Sequence, residues 1–598
     1  MSIYNSRRAE HKTPFGAVKS GTKVTFRIFK SDAQTATLAV FKDGSIRPVL
    51  ISMNRNGEIF EADYLFAEAG LYFYMFVLPN HTQVVRGDFG EGVLTEMRSH
   101  PSLFQQTVFD AEYRPASRFC GGAMYQIFPD RFNIGKCGVL SSPYGDRTFH
   151  TDLSDLPSYL PDETGEVKNH DYFGGNLRGI EEKLDYLKQL GIDCIYLNPI
   201  GEAHSNHRYD TADYKKADPV LGTEKDFKKL CSSAHRRGIK IVLDGVFSHT
   251  GADSVYFNKL GRYDSVGAYQ SRDSKYASWY KFSRFPDEYA SWWGFKTLPE
   301  VNEEDENFSD FICGKGGVID YWIKLGADGF RLDVADELPD GFIEKIRSGV
   351  KRNGSDKILI GEVWEDASNK ISYGRRRRFL WGTELDSTMN YPFRTAILNF
   401  VKTADAMGFM SSVTEICENY PKEMLDQMMN MLSTHDTERA INALSCGDES
   451  MTHTKEWLAN RRLGTDEYLR GVEMLKLCFV LQFTLPGIPC VYYGDEIGMQ
   501  GFGDPFCRGF MRWDSMDLNV RGCLEKISAF RRENRAIFAD GELHPIKNDG
   551  GVVAYLRKSR GNGEVFVAVN RSEEIASVAA PNGKTVVMAP WSYILKKL

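Results

Sequence analysis

The middle of the chain repeats one pattern, in which a short apolar run is followed by a stretch with apolar positions at helical spacing. The clearest helical stretches are "NLRGIEEKLDYLKQLG" and "EKDFKKLCSSAHRRG". Strands that are apolar on both faces and alternate with helices are typical of a parallel sheet. Eight runs predict a closed (β/α)8 TIM barrel, with an open doubly wound sheet as the alternative. The runs are "GAMYQIF", "IDCIYLNPI", "IKIVLDGVF", "ADGFRLDV", "KILIGEVW", "LDSTMNYP", "MNMLSTHD" and "IPCVYYGDE".

The two ends of the chain alternate with a period of two. Residues 1–115 contain segments such as "KVTFRIF" and "GLYFYMFVL" between Gly, Asn and Asp turns, which predicts an N-terminal β-sandwich. Residues 516–598 begin with the amphipathic "CLEKISAFRREN" and return to strands, which predicts a smaller C-terminal β-sandwich domain. The barrel then occupies residues 116–515. A long segment of about residues 250–310, rich in Tyr, Trp, Ser and Asp, predicts a subdomain inserted after the third barrel strand.

Several of the apolar runs change character at their carboxyl ends, where ionisable residues appear. In a barrel these ends converge on one face, where active sites lie. One such residue is weak evidence, since loop anchoring explains most of them, but four strands sharing the feature predict a site. The residues are Asp244, His249, Arg331, Asp333, Glu362, His435 and Asp436.

The run "GADGFRLDVADE" places Arg331 and Asp333 two positions apart, on one face of a predicted strand. Two carboxyl groups that flank an anomeric carbon serve as nucleophile and acid/base in retaining glycoside hydrolysis. The positive charge of Arg331 is expected to keep Asp333 ionised, as a nucleophile must be. A purely structural buried ion pair is the alternative.

Composition excludes some classes of function. The 598 residues carry a net charge of -7, which argues against a nucleic-acid partner, and the basic run "RRRR" at 375–378 is interpreted as a solvated face. No apolar run is long enough to span a membrane, and the N-terminus lacks the apolar core of a signal peptide. Eleven cysteines without CxxC spacing indicate buried free thiols, no zinc site and a cytoplasmic location.

Together the motifs "DGVFSH", "GFRLDVADE", "GEVW" and "STHD" resemble the four conserved regions of glycoside hydrolase family 13, the α-amylase family. The resemblance extends through "YQIFPDRF", "HRYDTADY", "LPEVN" and "GIPCVYYGDEIGM" and covers roughly residues 120–515. The variants "GVFSHTG", "VADE" and "YFGGNLRGI", with the N-terminal β-domain, are most similar to the neopullulanase, cyclomaltodextrinase and maltogenic amylase branch.

The resemblance implies a role for each matched residue. Asp333 is implied to be the nucleophile and Glu362 the general acid/base. Asp436 is implied to be the third carboxylate, which hydrogen-bonds to hydroxyls of the sugar at the cleaved position. The resemblance also implies that Tyr209, His249 and His435 bind this sugar and that Arg331 supports the nucleophile. Glu337 and Trp364 are implied to shape the leaving-group side, and Asp244 to fix a strand end. Trp292 and Trp293 of the insertion either stack on glucan rings or form a small local core.

Some positions depart from the family pattern. Ser248 stands where many members carry an Asn that binds calcium, and Lys136 and Asn176 stand where the branch has acidic residues near a second calcium site. Hard cations prefer carboxylate oxygens, so we expect weak calcium binding or none, and no other cofactor. Asp336 replaces an Asn typical of the branch, which leaves the substrate preference open. The N-terminal domain often forms dimers in this branch, and the sequence leaves open both a homodimer and a glucan-binding role for this domain.

The resemblance thus implies a retaining hydrolase of α-1,4-glucosidic bonds in maltodextrins, cyclodextrins, starch or pullulan. A 4-α-glucanotransferase that uses the same covalent intermediate is one alternative, and a plain α-amylase is another. A non-catalytic glucan-binding relative is a third, which the presence of all three carboxylates disfavours.

Overall fold

The computed structural model describes residues 2–97, 101–136, 145–163, 165, 167–447, 449–581 and 583–598. Eight parallel strands form its central sheet, in the order sixth, fifth, fourth, third, second, first, eighth and seventh. A bridge between Met389 and Met429 joins the sixth strand to the seventh and closes the barrel. The predicted barrel is therefore confirmed. The strands are Met124–Ile127, Cys194–Leu197, Lys240–Gly245, Gly329–Leu332, Ile358–Gly361, Ser387–Thr388, Met429–Met431 and Ile488–Tyr492.

The barrel strands are apolar on both faces because each face meets a different core. Met124 points into the barrel interior with Tyr196 and Ile360, whereas Tyr125 and Ile195 pack against the surrounding helices. The described helices of this ring and its loops are Leu177–Glu182, Leu184–Gln189, Glu224–Arg236, Glu306–Cys313, Val318–Leu325, Asp340–Arg352, Tyr391–Thr403, Ala406–Asn419, Lys422–Leu425, Ala440–Ser445, Glu449–Thr452, Lys455–Asn460, Thr465–Thr484, Leu518–Glu533 and Arg535–Asp540.

Two sheets packed face to face form the N-terminal region, as predicted for a β-sandwich. Tyr72 and Tyr74 lie in its buried core, so they fill the sandwich and do not form a sugar-binding platform on its surface. Its strands are Lys12–Thr13, Val18–Lys19, Thr22–Phe29, Thr37–Lys42, Val49–Ser52, Asn54–Asn56, Ile59–Phe66, Gly70–Leu78, Thr82–Arg86, Gly92–Glu96 and Phe104–Phe109.

The C-terminal strands follow the last two helices and form a four-stranded and a two-stranded sheet around a small apolar core. Helix Leu518–Glu533 packs against Thr465–Thr484 of the barrel ring, and the first C-terminal strand begins at Glu542. The domain limits 115 and 515 remain predictions. The strands are Glu542–Asp549, Val552–Ser559, Gly563–Asn570, Ala576–Ala579, Thr585–Met588 and Ser592–Lys597.

Four pairs of short strands lie on the loops of the barrel. The insertion after the third strand contains only short elements, and its aromatic residues, such as Tyr256 and Trp279, belong to the same core as the barrel helices. The short strands are Thr148–Phe149 with Asp171–Tyr172, Gly201–Ala203 with Thr211–Ala217, Phe282–Arg284 with Glu288–Tyr289, and Ile371–Ser372 with Arg375–Arg376.

The basic run at 375–378 is a solvated face only in part, because Arg375 is exposed whereas Arg377 is buried. Arg377 is buried and pairs with Asp340 at 2.9 Å, while Arg376 pairs with Asp43 of the N-terminal region at 2.9 Å. Carboxylates from distant parts of the chain pair with these two arginines, so the solvated-face interpretation is wrong for them. In the described part of the chain, no helix is both long and apolar enough to cross a membrane.

Candidate active site

Arg331 organises the carboxyl ends of the third, fourth and fifth strands. Its fully buried guanidinium donates from Nη1 to Asp244 Oδ1 at 2.8 Å and to Asp333 Oδ1 at 2.9 Å. Its Nη2 lies 2.8 Å from Glu362 Oε2. One cation thus contacts three carboxylates from three strands, and this holds Asp333 and Glu362 side by side at the barrel mouth.

The backbone after the fourth strand differs from the prediction in one respect. The strand ends at Leu332, one residue before Asp333, and Val334 has a φ of 39°, which is unusual for a β-branched residue. The turn points the Val334 N–H at Glu362 Oε2, to which it donates at 2.9 Å. The chain therefore leaves the extended conformation where it builds the site, and Glu362 is held from two sides.

His435 and Asp436 follow the seventh strand and complete the cluster. Gln126 Nε2 donates to His435 Nδ1 at 3.0 Å, so the other ring nitrogen carries the proton and faces the Tyr209 hydroxyl, which donates to Asp244 Oδ2 at 2.9 Å. The Tyr209 and His435 rings stack at 5.3 Å. Burial and the charges of nearby arginines lower the pKa of His435 well below its ordinary value, so the imidazole is neutral.

Asp436 is fixed by a residue that the sequence analysis missed. Arg508 Nη2 donates to Asp436 Oδ1 at 3.2 Å, and its Nε donates to the His435 carbonyl at 2.8 Å. Arg508 lies in the loop after the eighth strand, well beyond the end of the apolar run, so its position in the sequence did not indicate a role in the site. Gln126 and Tyr196 were also missed, although each is a polar-tipped residue inside an apolar run; that signal was present in the sequence.

The surroundings of Asp333 act on its pKa in opposite directions. Burial raises the pKa of Asp333 well above its ordinary value, Arg331 opposes the shift, and Glu362 adds to it. Arg331 therefore acts on Asp333 in the expected direction, against the effect of burial, and its role in keeping this carboxyl ionised remains a prediction. Negative charges this close oppose one another's formation, which is why Glu362 raises the pKa of Asp333.

The pKa of Asp436 leads to a stability prediction. Desolvation raises it to about 7 from 3.8, against the attraction of Arg508. Between pH 4 and 7 the folded protein then binds more protons than the unfolded chain, so this group's contribution to stability falls as the pH rises through that window. Asp436→Asn should raise the melting temperature by roughly 2 °C at pH 8 and leave it unchanged near pH 4.

Differential scanning calorimetry at the two pH values checks this expectation. Arg508 keeps a partner in the variant, since its Nη1 lies 2.7 Å from Asp504. Exposed Asp514, beside Arg512, provides the control variant Asp514→Asn, which should show no such pH-dependent gain. Equal stabilisation by Asp436→Asn at both pH values would contradict the prediction.

His249, Glu337 and Trp364 lie around the cluster, and no hydrogen bond in the described residues joins them to its three carboxylates. Ser248 hydrogen-bonds to His249 Nδ1 at 2.9 Å, and burial lowers the pKa of His249 to about 4, so this ring is neutral too. Trp364 stacks on Tyr391 with centroids 4.1 Å apart and is half exposed.

Glu337 instead organises two tryptophans of the insertion. Trp292 Nε1 donates to its Oε2 at 2.7 Å, and Trp293 Nε1 donates to its Oε1 at 2.8 Å. Trp293 remains 75% exposed, which excludes the small local core as its surroundings. Trp292 lies beside His249, with ring centroids 5.4 Å apart. One carboxylate therefore holds an aromatic surface, exposed at Trp293 and adjoining His249 at Trp292.

The residues at the family's calcium positions are engaged within the protein. Asn176 Oδ1 caps the following helix by accepting from the Gly179 N–H at 2.8 Å. Asp130, the aspartate of the motif "YQIFPDRF" near the second of these positions, accepts from the backbone N–H groups of Phe173 and Gly174, each at 3.0 Å. The Ser248 hydroxyl is hydrogen-bonded to His249 Nδ1. These donor sets do not fit a calcium ion, and weak or absent calcium binding at these positions remains a prediction.

The fold and this site define a (β/α)8-barrel protein with clustered carboxylates at the carboxyl ends of its strands, the arrangement in which glycoside hydrolases place their chemistry. The family model described as "Alpha amylase, catalytic domain" matches residues 126–536. The chain belongs to the α-amylase family.

Individual relatives agree with this assignment. An amylopullulanase from Thermoanaerobacter thermohydrosulfuricus is 34% identical over 92% of this chain and 40% of its own length. A cyclomaltodextrinase from Thermoanaerobacter pseudethanolicus is 33% identical over 75% of this chain and 70% of its own length. The solved type III pullulan hydrolase from Thermococcus kodakarensis has a TM-score of 0.69 and 26% identity, with 100% of both chains covered. The family and branch inferred from the motifs are confirmed, although the chain spans less than half of the amylopullulanases.

Proposed function

We propose that this protein is a retaining α-glucan hydrolase that cleaves α-1,4-glucosidic bonds through a covalent glycosyl-enzyme. One observation carries the proposal: a single buried guanidinium, that of Arg331, contacts both Asp333 and Glu362. Two carboxyl groups held this close match the retaining arrangement, in which one attacks the anomeric carbon and the other transfers the proton.

In this mechanism Asp333 is the nucleophile and Glu362 the general acid/base. Oε2 of Glu362 is anchored by Arg331 and the Val334 N–H, so Oε1 carries the transferable proton. Glu362 protonates the glycosidic oxygen as Asp333 forms the glycosyl ester, and the alcohol leaves. Glu362 then takes a proton from water, which attacks the same carbon and displaces the Asp333 carboxylate, and the two inversions retain the α configuration.

The remaining residues bind the sugar at the cleaved position. Asp436, held by Arg508, accepts hydrogen bonds from sugar hydroxyls, and the neutral His435 and His249 donate to or accept from them. Tyr209, stacked on His435, offers its ring to one face of the same sugar. Arg331 supports the nucleophile, and Asp244 fixes Arg331 and Tyr209 at the strand end.

The aromatic surface supports a second candidate, a 4-α-glucanotransferase. Trp293 is exposed, Trp364 is half exposed, and Trp292 lies beside His249. A sugar stacked there can accept the glycosyl group in place of water, and Glu337 sets the position of both indoles. Hydrolysis and transfer share every step up to the intermediate.

Product analysis on pullulan, β-cyclodextrin and soluble starch tests the proposal. We expect panose from pullulan and cyclodextrin opening at a comparable or faster rate than starch cleavage. Maltotriose from pullulan would mean α-1,6 cleavage, and starch cleavage alone would mean a plain α-amylase. Products longer than the substrate would favour the transferase, and no turnover of any glucan would contradict the proposal.

Two wider aspects of the function are also proposed. Ten cysteines of the described residues are free, and eight of them are buried, which supports work in a reducing compartment such as the cytoplasm. The partner is the glucan substrate, with no nucleic-acid role. A homodimer remains a prediction.

A further inference from the structure

Three potential metal ligands meet on the loops above the barrel, away from the carboxylate cluster. Asp146, His170 and His204 each offer one ligand atom, and these atoms lie within 4.8 Å of one another. From these contacts we propose that the three residues form a binding site for a divalent transition-metal ion, with Zn²⁺ as the best match. The site goes beyond the proposed glucan hydrolysis and does not depend on it.

The geometry requires little rearrangement. His204 Nε2 already lies 2.9 Å and 3.0 Å from the two Asp146 oxygens. Ligands at about 2.0–2.1 Å from zinc are spaced about 3.3 Å apart in a tetrahedron. His170 Nδ1 is buried and has no hydrogen-bond partner among the described residues. Rotation of this ring toward the pair completes a three-residue site with one open position.

The surrounding backbone holds the three segments in place. The strand after Asp146 pairs with the strand after His170, and the Thr148 N–H donates to the His170 carbonyl at 3.0 Å. The Tyr172 hydroxyl donates to the His204 carbonyl at 2.7 Å. Ladder and hydroxyl contacts thus tie all three ligand-bearing segments together before any ion binds, which lowers the entropy lost on binding.

The local charge favours a cation. The Asp210 carboxylate accepts from the His204 N–H at 3.2 Å, and Asp253 interacts electrostatically with His204 and Asp146. Arg147 and Arg262 lie nearby, but Arg147 is paired with Asp218 at 2.9 Å and Arg262 with Asp253 at 2.8 Å. Asp146 thus stands among two further carboxylates, and the arginines nearest to it each also contact one other carboxylate.

The donor types decide the class of metal. Two imidazole nitrogens and one carboxylate suit zinc, cobalt or nickel, whereas calcium prefers six or more oxygen ligands. The ion would fasten the segment at 201–210, which also carries Tyr209, to the loops at 145–150 and 167–172. It is a structural clamp on the substrate-binding loop, and it takes no part in the glycosyl transfer.

The test is a Co²⁺ titration of the full chain after treatment with EDTA, followed by visible absorption and isothermal calorimetry. We expect one Co²⁺ per chain, displaced by one equivalent of Zn²⁺ and not by the same concentration of Ca²⁺. His170→Ala should weaken binding by about 100-fold or more, because loss of outer-shell partners alone costs about 10- to 100-fold. Displacement by equimolar Ca²⁺ would overturn the assigned class of metal.

Two further variants separate binding from folding. Asp146 is exposed, so Asp146→Asn keeps the fold, as circular dichroism will verify, and should also lose the cobalt bands. His544→Ala is the matched control, because His544 is a half-exposed histidine beside a carboxylate, Glu542, on the C-terminal sheet. Unchanged Co²⁺ binding by Asp146→Asn and His170→Ala, or no binding by the unmodified chain, would overturn the site.

Discussion

Asp333→Asn is expected to lower kcat on soluble starch and β-cyclodextrin by about 10⁴-fold or more, because it removes the atom that forms the covalent bond. Asn is isosteric and still accepts a hydrogen bond from Arg331, so the site keeps its shape. Reducing-sugar release measures the loss. KM should change far less than kcat, since the side chain acts after the substrate is bound.

An experiment with azide distinguishes a nucleophilic role of Asp333 from a purely structural one. In Asp333→Ala, azide that enters the vacated space attacks the α-anomeric carbon directly and yields a β-glycosyl azide, which NMR identifies. The control is Asp356→Asn, since Asp356 also contacts an arginine, Arg118, on the surface, and it should turn over glucan at the normal rate. Near-normal activity of Asp333→Asn would refute the assignment.

Glu362→Gln is expected to lower kcat on glucans by about 10³-fold, because the glycosidic oxygen loses its proton donor. The loss should be much smaller with maltosyl fluoride, whose fluoride leaves without protonation. The ratio of the two effects is the diagnostic measurement. A residue that merely supports the fold would lower both rates equally.

A second azide experiment distinguishes the role of Glu362 from that of Asp333. In Glu362→Ala with maltosyl fluoride, Asp333 still forms the glycosyl-enzyme, and azide attacks from the opposite face to give an α-glycosyl azide. Glu365→Gln is the control, since Glu365 lies three residues further on, is exposed and pairs with Lys370. A β-azide from Glu362→Ala would show that the two roles are reversed.

Much of the fold could be predicted because its signals are local. Each barrel strand is a short apolar run bounded by polar residues, and each neighbouring helix has a polar face, so "IKIVLDGVF" and "EKDFKKLCSSAHRRG" indicate their structures without knowledge of the rest. The carboxyl-end rule for barrels then placed Asp333, Glu362 and Asp436 at one face.

The predictions failed where the outcome depended on distant partners. The "RRRR" run is interpreted as solvated from its sequence, yet Asp43 and Asp340 neutralise Arg376 and Arg377. The pKa of Asp333 is raised by Glu362, which is 29 residues away in the chain but contacts the same arginine, and no local pattern shows this neighbour. Arg508 lies on a loop with no periodic pattern, so the local sequence did not predict its contact with Asp436.

The sequence by itself determined the barrel, the flanking β-regions and the carboxylates that face one another, because side-chain periodicity and strand direction are properties of short segments. Only the tertiary structure decided which groups share Arg331, that Glu337 holds Trp292 and Trp293, and that Asp146 meets His170 and His204. Those contacts join residues from separate loops, and the energy of a charge or hydrogen bond depends on distance in space and on burial, neither of which is encoded locally in the chain.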